Sequence, residues 1–271
     1  MSPDAPVPDP APPRASPWLV PDHWRGIDFI SDLHLCEALP RTAAACASYL
    51  SSTPADAVLI LGDLFELWVG DDLRTRPFEA DWLATMRRAS ARTSLHVMVG
   101  NRDFLLGSAA LADAGARALT DPTLLQAFGR RYLLTHGDAL CLGDVDYQAF
   151  RRLVRGTAWQ AAFLARPLIE RLAIAAEIRG RSEARRRFDG DMQADIDADE
   201  ARRWLDAAGA FELIHGHTHR PSGPGDTLNG VPRTVLSDWD LDDPARPRAS
   251  VLRLQQDGLC RLPLEQAMMP T

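Results

Sequence analysis

The chain of 271 residues contains no lysine, so all 30 of its basic side chains are arginine. The guanidinium group of arginine can donate hydrogen bonds to two phosphate oxygens at once, whereas the ammonium group of lysine acts as a single point charge. The chain also lacks an excess of positive charge, because its formal net charge is −7. General nucleic-acid binders are usually basic overall. We therefore expect no nucleic-acid partner.

The four cysteines form no C-x-x-C pair, which argues against a structural thiolate site and favours reduced thiols. No apolar run approaches the roughly 18 residues that span a bilayer. Residues 1–21 contain eight of the 20 prolines and no apolar core of a signal peptide. These absences predict a cytoplasmic protein with a disordered, Pro-rich tail over residues 1–24.

Five apolar, strand-like segments each end in a small residue next to Asp, Asn or His. Helical patterns lie between the early ones, over residues 38–51, 77–92 and 107–115. Strands that alternate with helices indicate an α/β fold with a largely parallel sheet, which binds ligands beyond the carboxyl ends of its strands. We therefore expect the polar strand ends to meet at one edge. These strand-end residues are Asp32 and His34, Asp63, Asn101, His136, and His215 with His217.

Residues 145–208 lack strand patterns and read as helices, so we expect a helical cap inserted into a core of residues 25–144 and 209–265. From Arg151 to Arg187 there are ten Arg and three Glu, interleaved with apolar residues. One interpretation is an ordinary helical subdomain with a solvated Arg face. The other is a surface that meets anionic lipid headgroups and acyl chains. Strand patterns at 234–239, 249–254 and 259–264 predict a hairpin that finishes a second sheet.

The strand-end residues have the chemistry of a metal centre. Asp32 and His34 alternate and could chelate one cation, whereas Asp63 could bridge two cations through its two oxygens. A set of Asp, Asn and His without Cys suits Mn²⁺, Fe²⁺ or Zn²⁺. Two such ions about 3.5–4 Å apart suit in-line displacement at phosphorus. His23 and His96 stand outside these motifs, and we assign them no role.

Other polar residues of the same motifs receive supporting roles. We expect Asp103 to orient a ligand histidine, Asp138 to be a structural partner, and His219 to lie outside the ligand set near the phosphate. Asp71 and Asp72 are interpreted as solvated or loop-capping carboxylates. Trp68 is either a loop anchor or a pocket wall.

The order D-x-H, GD, GN, H, GH-x-H resembles that of the calcineurin-like metallophosphoesterases. The resemblance implies a four-layer α/β/β/α sandwich. It implies one metal on Asp32, His34, Asp63 and His217, and a second metal on Asp63, Asn101, His136 and His215. It also implies a hydroxide nucleophile held by the two metals.

Arg102 departs from the pattern of many members of that family, which have histidine at this position to protonate an alkoxide leaving group. The pKa of arginine exceeds 12, so Arg102 cannot donate a proton, although it can neutralise phosphate oxygens. A leaving group that is itself a phosphate needs little protonation. Arg102 therefore favours cleavage of a pyrophosphate.

The fuller strings GDLFELWVGDD, GNRDFLLG and HGHTHRP resemble the UDP-2,3-diacylglucosamine diphosphatases of the lipid A pathway, over about residues 26–262. The resemblance implies Mn²⁺-dependent attack at the α-phosphorus, giving UMP and 2,3-diacylglucosamine 1-phosphate. It implies peripheral association with the cytoplasmic face of the inner membrane and a cap that holds the acyl chains. It assigns catalysis to Asp63, Asn101, Arg102 and His215. Substrate contacts would be Asn101, Arg102, Asp144, Tyr147, Arg179, Ser182, Arg186 and His215.

Arg186 stands where that family has asparagine, and the family's following lysine has no counterpart in this chain. One alternative to this function is a soluble metallophosphoesterase acting on another nucleotide diphosphate or dinucleotide. Another alternative is a non-enzymatic scaffold, against which the complete ligand set argues. We infer no obligate protein partner.

Overall fold

A computed structural model describes residues 11–189 and 194–270, with side chains described for 11–180 and 194–270. The described strands are β1 (Ser16–Leu19), β2 (Ile27–Ile30), β3 (Ala57–Leu61), β4 (Ser94–Met98), β5 (Arg117–Leu119), β6 (Thr123–Ala127), β7 (Arg130–Thr135), β8 (Glu212–His215), β9 (Asp226–Leu228), β10 (Val231–Val235), β11 (Ser250–Gln255) and β12 (Gly258–Pro263). The described α-helices are α1 (Pro40–Ser52), α2 (Pro77–Ala89), α3 (Ser108–Ala114), α4 (Val145–Val154), α5 (Thr157–Leu164), α6 (Leu168–Asp189), α7 (Ala198–Ala208) and α8 (Leu264–Ala267).

The first sheet has the order β12-β11-β2-β3-β4-β5. The strands from β2 to β5 are parallel, and α1, α2 and α3 connect them in sequence. Helices α1 and α2 begin with Pro40 and Pro77, because proline lacks the N–H that the first helical turn leaves unpaired anyway. The predicted alternation of strands and helices is confirmed here.

The second sheet has the order β1-β6-β7-β8-β10-β9 and mixes parallel with antiparallel pairs. It includes β7 and β8, whose ends carry His136 and His215. The expectation that the polar strand ends share one edge of one sheet is therefore wrong. Three of the five strands lie in the first sheet and two in the second, and the ends meet because both sheets present their carboxyl edges at the same end of the molecule.

The C-terminal hairpin also differs from the prediction. β11 and β12 pair with each other, but β11 then pairs antiparallel with β2, with Leu252 opposite Phe29, so the hairpin completes the first sheet. The predicted strand at 234–239 ends at Val235. The chain then turns back toward the site, where the Trp239 N–H donates to the Asp32 carbonyl at 3.1 Å.

Helices cover the outer faces of the two sheets, which gives the four layers of the α/β/β/α sandwich. Phe29, Leu59, Leu134 and Ile214 belong to the apolar layer between the sheets. Strands β2, β3 and β8 are buried at every position, as expected for strands covered on both faces.

Part of the N-terminal segment that was predicted to be a tail forms a strand. Ser16–Leu19 form β1, which pairs in parallel with β6 at the edge of the second sheet. The Trp18 ring packs on the His96 ring of the first sheet, with centroids 4.4 Å apart. Isolated tryptophans in a proline-rich stretch gave no sign of this contact, which is made across the two sheets.

Residues 145–208 contain the four helices α4 to α7, which agrees with the helical reading. Two arginines fix α4 and α6 to loops of the sandwich. Arg155 donates to the carbonyl of Gly100 at 2.8 Å, and the buried Arg171 bonds the Val69 carbonyl and the Asp72 carboxylate. Helix α7 packs on β8 and β10 as an outer layer of the second sheet. Within the described residues, none of the helices combines the length and apolarity needed to cross a bilayer.

Candidate metal centre

Three strands of the first sheet end in oxygen and nitrogen donors. Asp32 and His34 follow β2, Asp63 follows β3, and Asn101 follows β4. Backbone N–H groups of Leu33 and His34 donate to the Asp63 carbonyl at 2.9 and 3.1 Å, which ties the first two strand ends together. The two carboxylates are almost completely buried.

The second sheet supplies histidines to the same place. His136 follows β7 and is buried, with its Nε2 atom 3.7 Å from Asp63 Oδ1. His217 and His219 follow β8 after a turn at Gly216. The backbone N–H of His217 donates to both carboxylate oxygens of Asp32, at 3.2 and 3.0 Å. This pair of bonds joins the ends of β2 and β8 across the two sheets.

Two groups of donors are close enough to hold a metal ion. Asp32, His34 and His219 form one, and Asp32, Asp63 and His136 form the other, each with ligand atoms within 4.8 Å of one another. His219 Nε2 lies 3.4 Å from both His34 Nε2 and Asp32 Oδ1. This placement differs from the expectation that His219 stays outside the ligand set.

Asn101 sits between two imidazole rings. Its Oδ1 atom lies 3.0 Å from His136 Nε2 and 2.8 Å from His217 Nδ1. The amide oxygen therefore lies within 3.0 Å of both ring nitrogens. These three residues could provide the neutral part of a second metal site next to the Asp63 carboxylate.

His215 belongs to neither of these two groups. It is the last residue of β8 and fully buried, and its Nδ1 atom lies 2.9 Å from the Gly216 carbonyl. Its Nε2 atom has no hydrogen-bond partner within the described parts of the chain. A buried ring nitrogen without a partner is available to a metal ion, so His215 stays a predicted ligand, as the resemblance to the family implies.

The backbone marks the same residues. Among the described non-glycine residues, seven have a positive φ, and five of them are Asp32, His34, Asp63, His217 and His219. A left-handed conformation disfavours side chains with a Cβ atom, and such strain concentrates at functional sites. His215 is absent from this set, which agrees with its place inside a regular strand.

Two glycines allow the ligands to approach each other. Gly62 has φ +95°, and a Cβ atom there would lie within 2.6 Å of two atoms of the His136 ring. A Cβ atom on Gly100 would lie 2.1 Å from Asp63 Oδ1. The GD and GN motifs therefore need glycine, because the His136 ring and the Asp63 carboxylate occupy the space that the two Cβ atoms would fill.

Charged groups in the site strongly shift the pKa values of neighbouring histidines. Burial opposes the charged form of His136, but the carboxylates of Asp63, Asp32 and Asp138 outweigh it and raise its pKa to about 9. Burial and the neighbouring His136 lower the pKa of His217 to about 3. Buried carboxylates that attract positive charge this strongly are chemically suited to hold cations.

Arg102 and Asp103 shape the loop after β4. The Arg102 N–H donates to Asp63 Oδ1 at 2.8 Å, and its guanidinium lies 3.5 Å from Glu66. The buried Asp103 carboxylate accepts backbone N–H groups of Gly100, Leu64 and Phe65 at 2.7, 2.8 and 3.3 Å. Asp103 thus orders the loops that carry Asp63 and Asn101, whereas we had expected it to orient a histidine.

Other predicted supporting roles can be placed directly. Asp71 accepts the N–H groups of Gly107, Ala109 and Ala110 at the start of α3, so it is a loop-capping carboxylate. Trp68 is buried, and its indole N–H donates to Asp71 at 3.1 Å, as expected of a loop anchor.

The predicted substrate residues on the helical segment are only partly brought to the site. Asp144 caps α4 and is exposed. The Tyr147 hydroxyl donates to the Asp138 carboxylate at 2.5 Å, and its ring stacks on His217 with centroids 6.0 Å apart. Arg179 lies 3.4 Å from Glu66. The side chains of Ser182 and Arg186 lie outside the described residues.

Several residues of the site were missed from the sequence. Glu66 contacts His34 Nδ1 at 2.9 Å as well as Arg102 and Arg179, and its place three residues after Asp63 was the only available signal. Asp238 lies 3.5 Å from His219 Nδ1 and accepts from Arg248 Nε at 2.7 Å. No motif marked this pair, because it comes from the irregular segment after β10.

Comparison with known proteins agrees with this geometry. The family model for calcineurin-like phosphoesterases matches residues 26–221. The UDP-2,3-diacylglucosamine hydrolase of Chromobacterium violaceum is 45% identical over 241 residues, which cover 88% of this chain and 98% of that protein. The protein of the same name from Ralstonia nicotianae is 43% identical over 265 residues, or 93% and 98% of the two chains.

Among solved structures, the E. coli phosphoesterase Yfce aligns with a TM-score of 0.43 and 15% identity, over 89% of this chain and 94% of that one. The sequence relatives are far more similar and match this chain over almost their whole length. The chain belongs to the calcineurin-like phosphoesterases and, within them, to the family of the UDP-2,3-diacylglucosamine hydrolases.

Proposed function

We propose that the chain hydrolyses the pyrophosphate bond of UDP-2,3-diacylglucosamine, with two Mn²⁺ ions as cofactors. The observation that carries this proposal is the meeting of seven oxygen and nitrogen donors from two sheets beside Arg102, in a chain whose relatives bear the name of this hydrolase. The products would be UMP and 2,3-diacylglucosamine 1-phosphate, an intermediate of lipid A synthesis.

We assign one ion to Asp32, His34, Asp63 and His217. The second ion would be held by Asp63, Asn101, His136 and His215. The donors fit two divalent ions of borderline softness, because carboxylate, amide and imidazole groups are present without thiolate. His219, whose Nε2 atom lies 3.4 Å from His34 Nε2 and Asp32 Oδ1, would lie beside the ions and contact the phosphate.

When bound, the two ions would supply a water molecule of lowered pKa and neutralise charge on the phosphate oxygens. In the overall hydrolysis, the water oxygen would bond to the α-phosphorus, the bond from this phosphorus to the bridging oxygen would break, and the two protons of the water would pass to solvent or to the product phosphates. Asn101 and Arg102 would bind the non-bridging oxygens. Because the leaving group is a phosphate, it needs no proton from Arg102.

Tyr147 and Asp138 would position ligands of the metal centre rather than react. The Tyr147 ring covers His217, and its hydroxyl is held by the buried Asp138, which also binds Arg151 at 2.8 Å. Burial of Asp138 opposes its ionisation, but the charges of His136, Arg151 and His217 lower its pKa well below the usual range. The carboxylate therefore stays charged while it holds α4 against the site.

We further propose that residues 145–208 form a cap that receives the acyl chains and meets the cytoplasmic face of the inner membrane. Val145, Leu153, Leu164 and Ile169 are large apolar residues exposed on α4, α5 and α6, between 42% and 74%. Arginines lie among them, so this surface could contact acyl chains and anionic headgroups together.

The test follows UMP release from UDP-2,3-diacylglucosamine in Mn²⁺, for the natural chain and for Asn101→Ala. We expect turnover, and a loss of about 100-fold or more in the variant because it removes both a ligand and a phosphate contact. Equal turnover of a non-acylated UDP-sugar would instead favour a soluble metallophosphoesterase for other nucleotide diphosphates.

Metal analysis tests the ligand assignment separately. We expect His215→Ala and His217→Ala to bind less Mn²⁺ than the natural chain at the same free concentration. His219→Ala is the matched control and should retain both ions. Loss of metal from the His219 variant, with retention in the His215 variant, would contradict the assignment.

A further inference from the structure

A cavity of about 220 Å³ opens directly from the candidate metal centre. Its inner end is formed by His34, His219 and Arg102, and its outer end by Asp238, Asp240 and Arg248. Whole small-molecule sites usually measure roughly 300–1,000 Å³. This cavity is therefore sized for one part of a substrate whose phosphate lies at the metal centre.

The outer wall contains an acceptor that lacks a donor. Asp238 is 3% exposed, and its Oδ2 atom accepts from Arg248. Its buried Oδ1 atom has no hydrogen-bond partner anywhere in the described chain. A buried carboxylate oxygen without a donor is costly, and Asp238 lines the cavity, so this residue points to a donor supplied by a ligand.

The carboxylates around Arg248 disfavour a second phosphate at this end of the cavity. Arg248 is surrounded by carboxylates, with Asp238 at 2.7 Å, Asp240 at 3.6 Å and Asp243 at 3.9 Å. Three negative charges around one positive charge repel an anion. The same carboxylates accept hydrogen bonds well from a neutral group with adjacent hydroxyls.

We propose that this cavity binds the ribose of the nucleotide half of the substrate, with its 2′- and 3′-hydroxyls donating to Asp238 and Asp240. The inference rests on the proposed function. It divides the substrate between two sides of the metal centre. Helix α4 contacts the metal centre away from the cavity, because Tyr147 stacks on His217 and Arg155 reaches the Gly100 carbonyl, and neither residue lines the cavity. Helix α6 approaches the cavity through Arg179, which lies 3.4 Å from Glu66 in its wall. The acyl chains would lie beside α4, and the nucleoside would lie against Leu39 and the loop containing Asp238.

Titration calorimetry on the Mn²⁺-loaded protein tests the inference with three ligands: UMP, 2′,3′-dideoxy-UMP and inorganic phosphate. We expect UMP to bind about tenfold or more tightly than either of the others, because hydrogen bonds to a charged carboxylate contribute on this order. This comparison needs no substitution, so it does not depend on the folding of a variant.

Leu39→Trp places a larger side chain in the cavity, and Leu19→Trp makes the same change at an exposed position of β1. We expect the first variant to lose the advantage of UMP over phosphate and to bind phosphate as before. The second variant should keep that advantage.

UMP binding no tighter than its dideoxy analogue or phosphate would overturn the ribose site, and so would an unchanged advantage in Leu39→Trp. Neither result affects the proposed function, which is tested by UMP release from the lipid substrate. Absence of that release, with the preference for UMP retained, would contradict the function and leave the ribose site standing.

Discussion

Five residues of the metal centre have a left-handed backbone conformation, which costs conformational free energy. Asp32, His34, Asp63, His217 and His219 adopt positive φ angles, which disfavour any residue with a Cβ atom by roughly 1–2 kcal/mol each. Regular strand geometry would send alternate side chains to the same face. The left-handed residues at the strand ends change the direction of the backbone, so the donor side chains face a common centre.

His219 allows this strain to be measured. We expect His219→Gly to be more stable than His219→Ala by about 1 kcal/mol in EDTA, because only glycine adopts the left-handed conformation without strain. Both variants remove the same ring. Denaturant unfolding followed by circular dichroism gives the comparison.

His23 is the matched control, because it is exposed and is not among the residues with positive φ. At this position alanine should be at least as stable as glycine. The same order of stability at His23 and His219 would contradict the idea of backbone strain at the site.

The sequence predicted the donor types but not how close His219 comes to them. His215, His217 and His219 are equivalent under a period of two, and the alternation of a strand favours the first two because they adjoin the apolar run. The structure ends β8 at His215, and His217 has a φ of +65°. The chain then brings His219 to 3.4 Å from Asp32, and no local pattern reveals this contact.

Helix α4 is the element that links the cap segment to the metal centre. Arg155, just after α4, donates to the carbonyl of Gly100, the residue before Asn101. Its guanidinium carbon lies 5.3 Å from the centre of the Phe104 ring. We expect Arg155→Ala to lower kcat/KM for the lipid substrate about tenfold, because a small displacement of the loop after β4 misplaces both Asn101 and Arg102.

Arg152→Ala on the same helix is the control for charge and helix propensity, because Arg152 is exposed. Steady-state kinetics on both variants, with equal protein stability checked by thermal unfolding, separate the two positions. Equal losses in the two variants would mean that the cap responds to general charge and that this contact has no special role.

His96 makes the contact between β1 and β4 dependent on pH. Burial, together with the charge of Arg117, lowers its pKa from 6.5 to about 4. The folded state therefore favours the neutral ring, and its stabilising contribution is complete above pH 6.5 and is lost as the pH falls toward 4. The loss amounts to at most about 3 kcal/mol.

We expect His96→Gln to flatten the fall in unfolding free energy between pH 7 and pH 4.5, measured by urea denaturation. His23→Gln should keep the slope of the natural chain, since His23 is exposed. An unchanged slope in the His96 variant would show that other groups dominate acid sensitivity in this range.

At the scale of the whole molecule, the candidate ligands come from both sheets. Asp32, His34, Asp63 and Asn101 follow strands of the first sheet, and His136, His215 and His217 belong to strand ends of the second. Bound ions would therefore stabilise the docking of the two sheets. We expect Mn²⁺ at 100 times its dissociation constant to raise the free energy of unfolding by about 2.7 kcal/mol for each bound ion, relative to EDTA.

Guanidinium denaturation in the two buffers measures this difference. Asp63→Asn should reduce it strongly, because Asp63 is assigned to both ions. A full stabilisation by Mn²⁺ in that variant would place the bound metal elsewhere on the chain.

The sequence alone predicted an α/β fold, the helices between the early strands and a helical segment after residue 144. It did not assign strands to sheets, because pairs such as Leu252 with Phe29 join residues far apart in the chain. Short strands such as β5 and β9 were missed, because three residues are too few to show an alternating apolar pattern. The cavity beside Asp238 was equally invisible, since it is formed by side chains from separate loops.

The pairing of β11 with β2 has a consequence for how the chain folds during synthesis. β2 is the first strand of its sheet to leave the ribosome, but its neighbour on one side is made more than 200 residues later. Until then that edge of β2 lies open to other strands, and such edges promote aggregation. Truncation before Ser250 should therefore yield aggregates that engage chaperones, although every candidate ligand has by then been translated.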